Sequence, residues 1–497
     1  MTYSALLRPC AAVLLTAALL VSGCDSFVDK EPISNPSRAN FYQSQEDFET
    51  AVAGAYDALQ LTGTVSNNYW MLFEMRGDNT DQGPDQTGLA QTIALLNRFE
   101  ETTTNELVQQ SWIDTYDGIE RCNIILDQLD ALPDGAFKER VRGEALFLRS
   151  LFYYHAAVAW ENITLKTAAT LGPDDAANTG DQTEGPDAVY QQISDDLETA
   201  QSLLPSEYDS DSNVGKATAG AANTLLGKVY LTMGQRGEAE TALQRVIDSG
   251  VYRLVDDYGD LWGPANENNA ESIFEVQYTT VSGEGSPFTN TFAPDVAAVP
   301  GGVGEGLAEN RPTPSMENAY FDEGGPRFQA SMDTSYVDAD GESVQARYIT
   351  KYESQPFANF EAENNWILLR YADVLLMMAE AIGPNGTTAD GRSGWDLIDE
   401  VRDRSLPAPQ FDVDRNGDFF SQLLRERRVE LAFENHRWPD LKRFEQYIDG
   451  VAFDRVGEEL DGLTQGNFNL LFPIPQREVD VAGLDQNPGY AGGGGGN

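Results

Sequence analysis

The stretch Arg425-Glu-Arg-Arg-Val-Glu-Leu-Ala-Phe-Glu-Asn-His-Arg-Trp-Pro-Asp-Leu-Lys-Arg-Phe444 constrains the fold of this chain more than any other segment. We read it as a helix up to about Glu434, which stacks Glu426, Glu430 and Glu434 at four-residue steps on one face. Like charges at this spacing destabilise a helix unless cations lie close to them. The stretch is rich in arginine although the chain as a whole is strongly acidic. We therefore expect ion pairs inside the fold to compensate this column of glutamates.

The cations of the same stretch are the expected partners. Arg427 falls on the glutamate face, and further cations follow a turn at residues 438–439. Arg425 and Arg428 fall on the apolar side, where a buried guanidinium group needs a carboxylate. The sequence predicts a structural ion-pair hub whose members are Arg425, Glu426, Arg427, Arg428, Glu430, Glu434, Arg437, Lys442 and Arg443.

Several other phrases accompany this stretch along the chain. They are Cys24-Asp-Ser-Phe-Val-Asp-Lys-Glu-Pro32, Tyr320-Phe-Asp-Glu-Gly-Gly-Pro-Arg-Phe328, Lys351-Tyr352, Leu369-Arg-Tyr-Ala-Asp-Val-Leu-Leu-Met-Met-Ala-Glu-Ala381, Leu471-Phe-Pro-Ile-Pro-Gln-Arg-Glu478 and Asn487-Pro-Gly-Tyr490. Together they resemble the SusD/RagB family of surface glycan-binding lipoproteins. The resemblance implies a helical-repeat fold, an oligosaccharide ligand and a partner, a SusC-like TonB-dependent barrel on which the lipoprotein sits as a lid.

The start of the chain is typical of an export signal with a lipid anchor. Arg8 is the only charge in residues 1–23, and residues 11–21 form an apolar run broken only by Thr16. Leu20-Val-Ser-Gly-Cys24 resembles the bacterial lipoprotein cleavage box, in which the cysteine becomes acylated. Acyl chains anchor firmly, since each buried methylene contributes about 0.8 kcal/mol. We expect lipidated Cys24, a tether over 24–40 and a surface location at the outer membrane; an ordinary secretory signal or an uncleaved anchor is the alternative.

Charge and rare residues exclude several kinds of partner. Eighty acidic against thirty-three basic residues give a net charge of −47, which repels nucleic acid. So many carboxylates fall near each other by chance that carboxylate pairs carry little catalytic signal. Cys122 follows a helical apolar pattern that buries it. His155 and His436 are far apart in sequence, so we expect no histidine metal centre and no cofactor.

Apolar residues recur at helical spacing through most of the chain, which predicts a mostly α-helical fold. Leu226-Gly-Lys-Val-Tyr230 followed by Ala239-Glu-Thr-Ala-Leu243 matches the tetratricopeptide pattern, with leucine in place of its phenylalanine. We predict tetratricopeptide-like helical repeats (an α/α superhelix) with long loops and a few short strands, one near residues 272–278. An isolated helical hairpin is the alternative.

The predicted domain organisation is a single body behind the tether. It spans residues 41–490, with the helical-repeat part reaching about residue 250 and a second part over about 270–490. The glycine-rich tail at 491–497 cannot offset its ordering entropy and is expected to be disordered.

Three short motifs partly match known metal-binding, catalytic or phosphate-binding motifs, and each has a simpler structural explanation. Residues 412–418 match the first half of a calcium loop, but Leu423 stands where a bidentate glutamate is expected, and helix capping explains the same residues. The weak calcium candidates are Asp412, Asp414, Asn416 and Asp418. Gly391-Arg-Ser-Gly-Trp395 lacks the final glycine of a nucleophile elbow, and the glycine run at 301–306 lacks the phosphate-loop lysine. We expect no catalytic residues.

Sugar recognition needs aromatic rings for the C–H faces of a sugar and polar side chains for its hydroxyl groups. Two regions supply such side chains. The candidates are Asn67, Asn68, Tyr69, Trp70, Arg76, Asp78, Asn79 and Asp81 in the first region, and Glu309, Asn310 and Arg311 in a second, weaker one. The resemblance implies that the first region borders the ligand site. The alternative is that Tyr69 and Trp70 are core residues at a helix end.

The expected function is that of a non-enzymatic lipoprotein that binds oligosaccharides and presents them to a transporter. One alternative is a glycan-cleaving enzyme on an all-α scaffold, which would need two placed carboxylates in a cleft. Another is a repeat scaffold for envelope assembly, which would bind protein in its groove. Glycan affinity without release of reducing ends selects the first function.

Cys24→Ser should release the protein from membranes, because Cys24 is the cysteine placed directly after the small residues of the signal. Alkaline carbonate washing of membranes followed by immunoblotting measures the release. Cys122→Ser is the control and should stay with the membrane fraction. A Cys24→Ser variant that survives the wash would show that the anchor lies elsewhere.

Overall fold

The computed structural model describes residues 41–83, 88–170, 172, 182–208, 213–406, 413–460, 462–466 and 468–490. The predicted signal, Cys24, the tether, Asp412 and the glycine-rich tail lie outside these residues. The chain divides into two compact units, one ending at Glu49 and one spanning Thr50–Asn497. In the described part of the first unit, the rings of Tyr42 and Phe48 meet edge-on with centroids 5.1 Å apart.

Seventeen α-helices and six short strands lie within the described residues. In chain order the helices are α1 Gln45–Asp57, α2 Asn68–Phe73, α3 Leu89–Asn97, α4 Glu106–Gln128, α5 Ala136–Trp160, α6 Asp187–Leu203, α7 Ala219–Thr232, α8 Arg236–Ser249, α9 Phe288–Phe292, α10 Pro314–Glu323, α11 Pro326–Ser331, α12 Tyr371–Ile382, α13 Gly394–Asp403, α14 Phe419–Glu430, α15 Arg437–Phe444, α16 Val451–Glu459 and α17 Gln476–Ala482. The strands are β1 Thr80–Asp81, β2 Ser272–Val276, β3 Arg311–Pro312, β4 Met332–Val337, β5 Ser343–Ile349 and β6 Trp366–Arg370. The prediction of a mostly α-helical fold with a few short strands is confirmed.

Helices from both halves of the chain pack side by side, in the order α4, α5, α6, α7, α8, α12 and α13. Within this stack, α7 and α8 form the hairpin that the tetratricopeptide pattern predicts. A Cβ atom on Gly227 of α7 would lie 2.6 Å from the side chain of Leu243 on α8. The glycine therefore lets the two helices approach closely, as the motif requires. No helix in the described part of the chain is both long enough and apolar enough to cross a membrane.

The part of the calcium motif that the structure describes serves local backbone geometry. The carboxylate of Asp418 accepts a hydrogen bond from the Ser421 N–H at 2.8 Å and caps α14. Asp414 accepts one from the Asn416 N–H at 3.0 Å in the turn before it. Among the described residues, no group of three or more His, Cys, Asp and Glu side chains is arranged to hold a metal.

The strands form three antiparallel pairs, β1 with β3, β2 with β6 and β4 with β5. β2 is the strand expected near residues 272–278, so that expectation is confirmed. β6 runs directly into α12, and the residue at this junction is Arg370, which lies opposite Ser272 in the register. At this junction the Arg370 side chain lies in the interior, where it is completely buried.

Arg370 lies at the centre of a buried ion-pair network. Its guanidinium group contacts Glu271, Glu430 and Glu434 at N–O distances of 2.8, 2.6 and 2.7 Å. Burial opposes the charged form of Glu430, but Arg404 and Arg370 outweigh it and lower the pKa of that carboxyl to about 2. A buried charge is tolerated only where such partners surround it.

The other cations that compensate the glutamate column also come from outside residues 425–444. Arg327 lies 2.5 Å from Glu426, and Lys351 lies 2.9 Å from Glu434. The expectation that cations of the same stretch would serve this face is therefore wrong. The physical reason is geometric. Cations on elements packed against α14 approach the glutamate side chains directly, whereas cations on α14 itself lie further along its surface.

The cations within the stretch pair with carboxylates outside the glutamate column. Arg427 is buried between Asp373 and Asp440, each 2.8 Å away, and Arg443 lies 2.8 Å from the same Asp440. Arg425 is exposed, which corrects its expected burial on the apolar side of the helix. That side of α14 faces an open cleft rather than the core.

α14 ends at Glu430, earlier than the predicted end at Glu434. The chain then reverses through Phe433 and Asn435, which have φ angles of 69° and 66°. Asparagine adopts left-handed backbone readily, but such backbone is unfavourable for phenylalanine and needs support from its surroundings. The buried Glu74 supplies that support, since its carboxylate accepts the N–H groups of Phe433 and Asn435 at 3.0 and 3.2 Å. Burial raises the pKa of Glu74 to about 7 against the effect of these donors.

Arg370→Ala should lower the free energy of unfolding by roughly 3–5 kcal/mol, because buried carboxylates lose a shared cation. Urea denaturation followed by circular dichroism at pH 7 measures the loss. Arg428→Ala is the matched control, since Arg428 shares its carboxylate, Asp78, with Arg437. Its loss should be roughly 1–2 kcal/mol. Equal losses in the two variants would contradict the central role of Arg370.

Candidate ligand-binding cleft

The aromatic pair expected to contact a ligand lies in the core. Tyr69 and Trp70 in α2 are 1% and 0% exposed. Trp70 meets the ring of Phe292 edge-on at 5.6 Å, and the Tyr69 ring lies 4.5 Å from that of His155. Asn68 is buried beside them. Their assignment as ligand contacts is therefore wrong, and the alternative of core residues at a helix end describes them correctly.

Three polar candidates of the same region are buried in internal pairs. Arg76, Asp78 and Asn79 are each at most 2% exposed. Arg76 lies 2.7 Å from Glu101, and Asp78 lies 2.5 Å from Arg437. Although burial alone would raise it, the neighbouring guanidinium groups hold the pKa of Asp78 well below its usual value. The structure contradicts direct ligand contact by these three, because their polar atoms bind the protein itself.

The structure joins the two candidate regions in one strand pair. Asp81 of β1 lies opposite Arg311 of β3. Both side chains are half-buried and face the same cleft. Glu309 and Asn310, just before β3, are buried instead, which corrects their assignment as ligand contacts. Asn67 is half-buried at the start of α2.

We call the depression beside this strand pair the β1–β3 cleft. It encloses about 620 Å³, within the range of small-molecule sites. Much of its polar wall is formed by Thr80, Asp81, Gln82, Arg98, Arg311 and Arg347. α16 contributes the apolar side chains of Val456 and Leu460. None of the described lining residues is aromatic, so the wall offers polar and aliphatic side chains but no ring face.

Two local contacts shape the cleft. The hydroxyl group of Thr313 donates to the Asp78 carbonyl at 3.0 Å and accepts from the Met316 N–H at 3.1 Å, so it ties β3 to the β1 segment and starts α10. Gly83 has a φ of +80°, and a Cβ atom there would lie 2.4 Å from Cδ of Arg311. Only glycine lets Arg311 lie across this turn.

Three buried polar atoms behind the wall of the cleft have no hydrogen-bond partner among the described residues. They are Thr80 Oγ1, Asp81 Oδ1 and Gln82 Oε1. An unmade hydrogen bond at a buried group costs roughly 1–3 kcal/mol. Burial raises the pKa of Asp81, while Arg311 and Arg347 act in the opposite direction. The arrangement can accept hydrogen bonds from ligand hydroxyl groups and donate others from the guanidinium groups.

Sequence reasoning missed Gln82, Arg98 and Arg347. Gln82 follows Asp81 directly, so extending the polar run by one residue would have found it. Arg347 has no local signal, because β5 brings it to the cleft, where its Nε donates to the Pro312 carbonyl at 2.8 Å. Such residues become visible only when the strand pairing is known.

Comparisons with family models match most of the chain. A model described as the SusD family matches residues 342–490, and one described as "Starch-binding associating with outer membrane" matches residues 26–231. A SusD-like protein of Formosa agariphila is 26% identical over 531 residues, covering 96% of this chain and 98% of its own. A SusD-like protein of Bacteroides ovatus is 26% identical over 478 residues, covering 88% and 82%.

Solved structures give the same fold. A laminarin-binding SusD-like protein aligns with a TM-score of 0.75 at 28% identity, covering 90% of this chain and 100% of that one. A SusD superfamily protein of Bacteroides vulgatus aligns with a TM-score of 0.73 at 25% identity, with the same coverage.

Trp70→Ala should destabilise the fold by roughly 3–5 kcal/mol, because a fully buried indole leaves a cavity. Urea denaturation measures the change. Phe321→Ala is the control, since Phe321 is 65% exposed and its loss should stay within about 0.5 kcal/mol. A Trp70→Ala variant as stable as the parent protein would contradict the assignment of Trp70 to the core.

Proposed function

The chain belongs to the SusD/RagB family, and on that premise we propose that it binds oligosaccharides in the β1–β3 cleft and delivers them to a TonB-dependent transporter in the outer membrane. The binding step concerns the cleft and the delivery step concerns a partner. Each step has its own support and its own test.

The half-buried side chains of Asp81 and Arg311, which face the β1–β3 cleft from one strand pair, carry the binding proposal. Sugars present many hydroxyl groups that both donate and accept hydrogen bonds, and here the Asp81 carboxylate can accept them while the guanidinium groups of Arg311 and Arg347 can donate. The volume of about 620 Å³ suits a short saccharide segment.

The glycan class is supported by a structural relative. The laminarin-binding protein shares the fold and 28% of aligned residues with this chain. Laminarin is therefore the first ligand to test. Because the described wall of the cleft has no aromatic residue, we expect selectivity to depend on hydroxyl positions more than on ring stacking.

Binding without cleavage is the preferred reading of the two carboxylates at the cleft. Asp81 and Glu459 both line it, as a glycosidase would require. Burial raises the pKa of both carboxyl groups, against Arg311 and Arg347 at Asp81 and against Arg428 at Glu459. The preference for binding therefore rests on the relatives, which are named as SusD-like and laminarin-binding proteins. A reducing-end assay on every bound oligosaccharide separates the two functions.

The delivery step rests on the family and on the start of the chain. The matched model named for outer-membrane association supports a location at that membrane. Acylated Cys24 would supply the attachment, and a SusC-like transporter the partner. Uptake of a labelled oligosaccharide by cells with and without the protein, at equal transporter levels, tests delivery. Equal uptake rates would exclude this step while leaving the binding step intact.

Arg311→Ala should weaken oligosaccharide binding by roughly 1.5–3 kcal/mol, because a charged hydrogen-bond donor is lost from the wall. A glycan array beginning with laminarin oligosaccharides identifies the ligand, and calorimetry then measures affinity. Arg392→Ala is the matched control, since Arg392 is also partly buried, 24% exposed, and pairs with Asp390 and Glu400 outside the cleft. Unchanged affinity in a folded Arg311→Ala variant would remove the β1–β3 cleft as the binding site.

A further inference from the structure

A second cleft lies on the other side of the first turn of α10 and of α16. It encloses about 440 Å³, and four arginines line it together with a single carboxylate residue among its described lining. We call it the arginine cleft; its charged lining residues are Arg425, Arg428, Arg437, Arg455 and Asp322. Such a concentration of cations is unexpected in a chain with a net charge of −47.

At the deep end of the arginine cleft, two guanidinium groups make their ion pairs with the same carboxylate. Arg437 and Arg428 contact Asp78 at 2.5 and 3.4 Å. The hydrogen bonds of Arg428 go to neutral oxygens, including Asn79 Oδ1 at 2.9 Å and Ser315 Oγ at 3.1 Å.

One donor at this end has no acceptor among the described residues. Arg437 is 3% exposed, and its Nη1 has no hydrogen-bond partner there, while its other two nitrogens bind Asp78. Burial lowers the pKa of Arg428, and the neighbouring Arg437 and Arg455 act in the same direction against Asp78 and Glu459. At the rim, Arg455 pairs with Glu458 at 3.1 Å. The described lining itself still contains four arginines against one carboxylate residue.

The two clefts are adjacent and built on the same two helices. Pro314 lines the β1–β3 cleft, and Ser315, the next residue of α10, lines the arginine cleft. On α16, Arg455 lines the arginine cleft and Val456 lines the β1–β3 cleft. A ligand that occupies both clefts would therefore pass over the first turn of α10 or over α16.

We propose that the arginine cleft binds the carboxylate or sulfate-ester groups of an anionic glycan that also occupies the β1–β3 cleft. Guanidinium groups match the geometry of planar carboxylates and of sulfate oxygens, and such charge-assisted bonds are about twice as strong as neutral ones. The inference rests on the proposed function, because it takes the ligand to be an oligosaccharide. It adds the chemical class of that oligosaccharide.

The test uses the full-length mature protein and four probes. They are hexagalacturonate, a sulfated carrageenan oligosaccharide, neutral laminarihexaose and inorganic sulfate, each measured by calorimetry. Arg425→Gln combined with Arg455→Gln removes two charges from the rim, where Arg425 is exposed and Arg455 is 40% exposed, so folding should be retained. Arg245→Gln is the matched control, since Arg245 is 41% exposed and pairs with one glutamate elsewhere.

We expect the double variant to bind an anionic oligosaccharide roughly tenfold or more weakly, with neutral laminarihexaose and the Arg245→Gln control unaffected. Equal affinity of parent and double variant for both anionic oligosaccharides overturns the inference. Binding of inorganic sulfate but of neither anionic oligosaccharide also overturns it, because the arginine cleft would then be a simple anion site.

The outcomes also separate this inference from the proposed function. Binding of laminarihexaose that depends on Arg311, with no preference for anionic probes, rejects the arginine cleft and keeps the proposed function. Anionic binding that depends on Arg425 and Arg455 but not on Arg311 supports the arginine cleft and rejects the β1–β3 cleft as the main site. Failure of every oligosaccharide to bind rejects both.

Discussion

The interaction on which the structure depends is the contact of Arg370 with Glu430 and Glu434 in the interior. A buried charge without a partner costs several kcal/mol, so these groups are compatible with folding only when they meet. Their partners Arg327 and Lys351 come from separate elements of the chain. The requirement to pair these charges therefore specifies how α11, the β6–α12 junction and α14 lie together. Apolar packing alone tolerates many arrangements, whereas this network accepts few.

The same network positions the ligand-binding region. Glu74 holds the turn after α14 by accepting the N–H groups of Phe433 and Asn435. A few residues later, Asp78 takes the guanidinium group of Arg437 and offers its carbonyl to Thr313. β1 and β3 follow directly, so the cleft is fixed to the ion-pair network by a short and rigid path. Several residues that the sequence suggested as ligand contacts, such as Asp78, support the proposed site instead, whereas the candidates Asp81 and Arg311 line the β1–β3 cleft.

The sequence predicts the helical part of this architecture well, because helix periodicity and the Gly227 approach to Leu243 are local signals. It also indicates that the glutamate column needs cations. It does not indicate which ones, since Arg370 stands 60 residues from Glu430 and reaches it only through the β6–α12 junction. For the same reason the pairing of Asp81 with Arg311 is invisible before folding. Trp70 illustrates a further limit, because an aromatic residue among polar neighbours suits a binding loop and a helix end equally, and only the packing of α2 decides between them.

The burial of so many arginines has a consequence for how the protein responds to its medium. Cations such as Arg327, Arg370 and Arg427 are buried together with the carboxylates that pair with them, so the water-facing shell keeps most of the excess negative charge of the chain. Dissolved ions screen repulsion among exposed carboxylates over a Debye length of about 8–10 Å, but they do not enter the dry interior. Rising ionic strength should therefore weaken the repulsion among exposed carboxylates and leave the internal pairs unchanged. A protein stabilised by exposed ion pairs would lose stability under the same conditions, whereas this one should gain it.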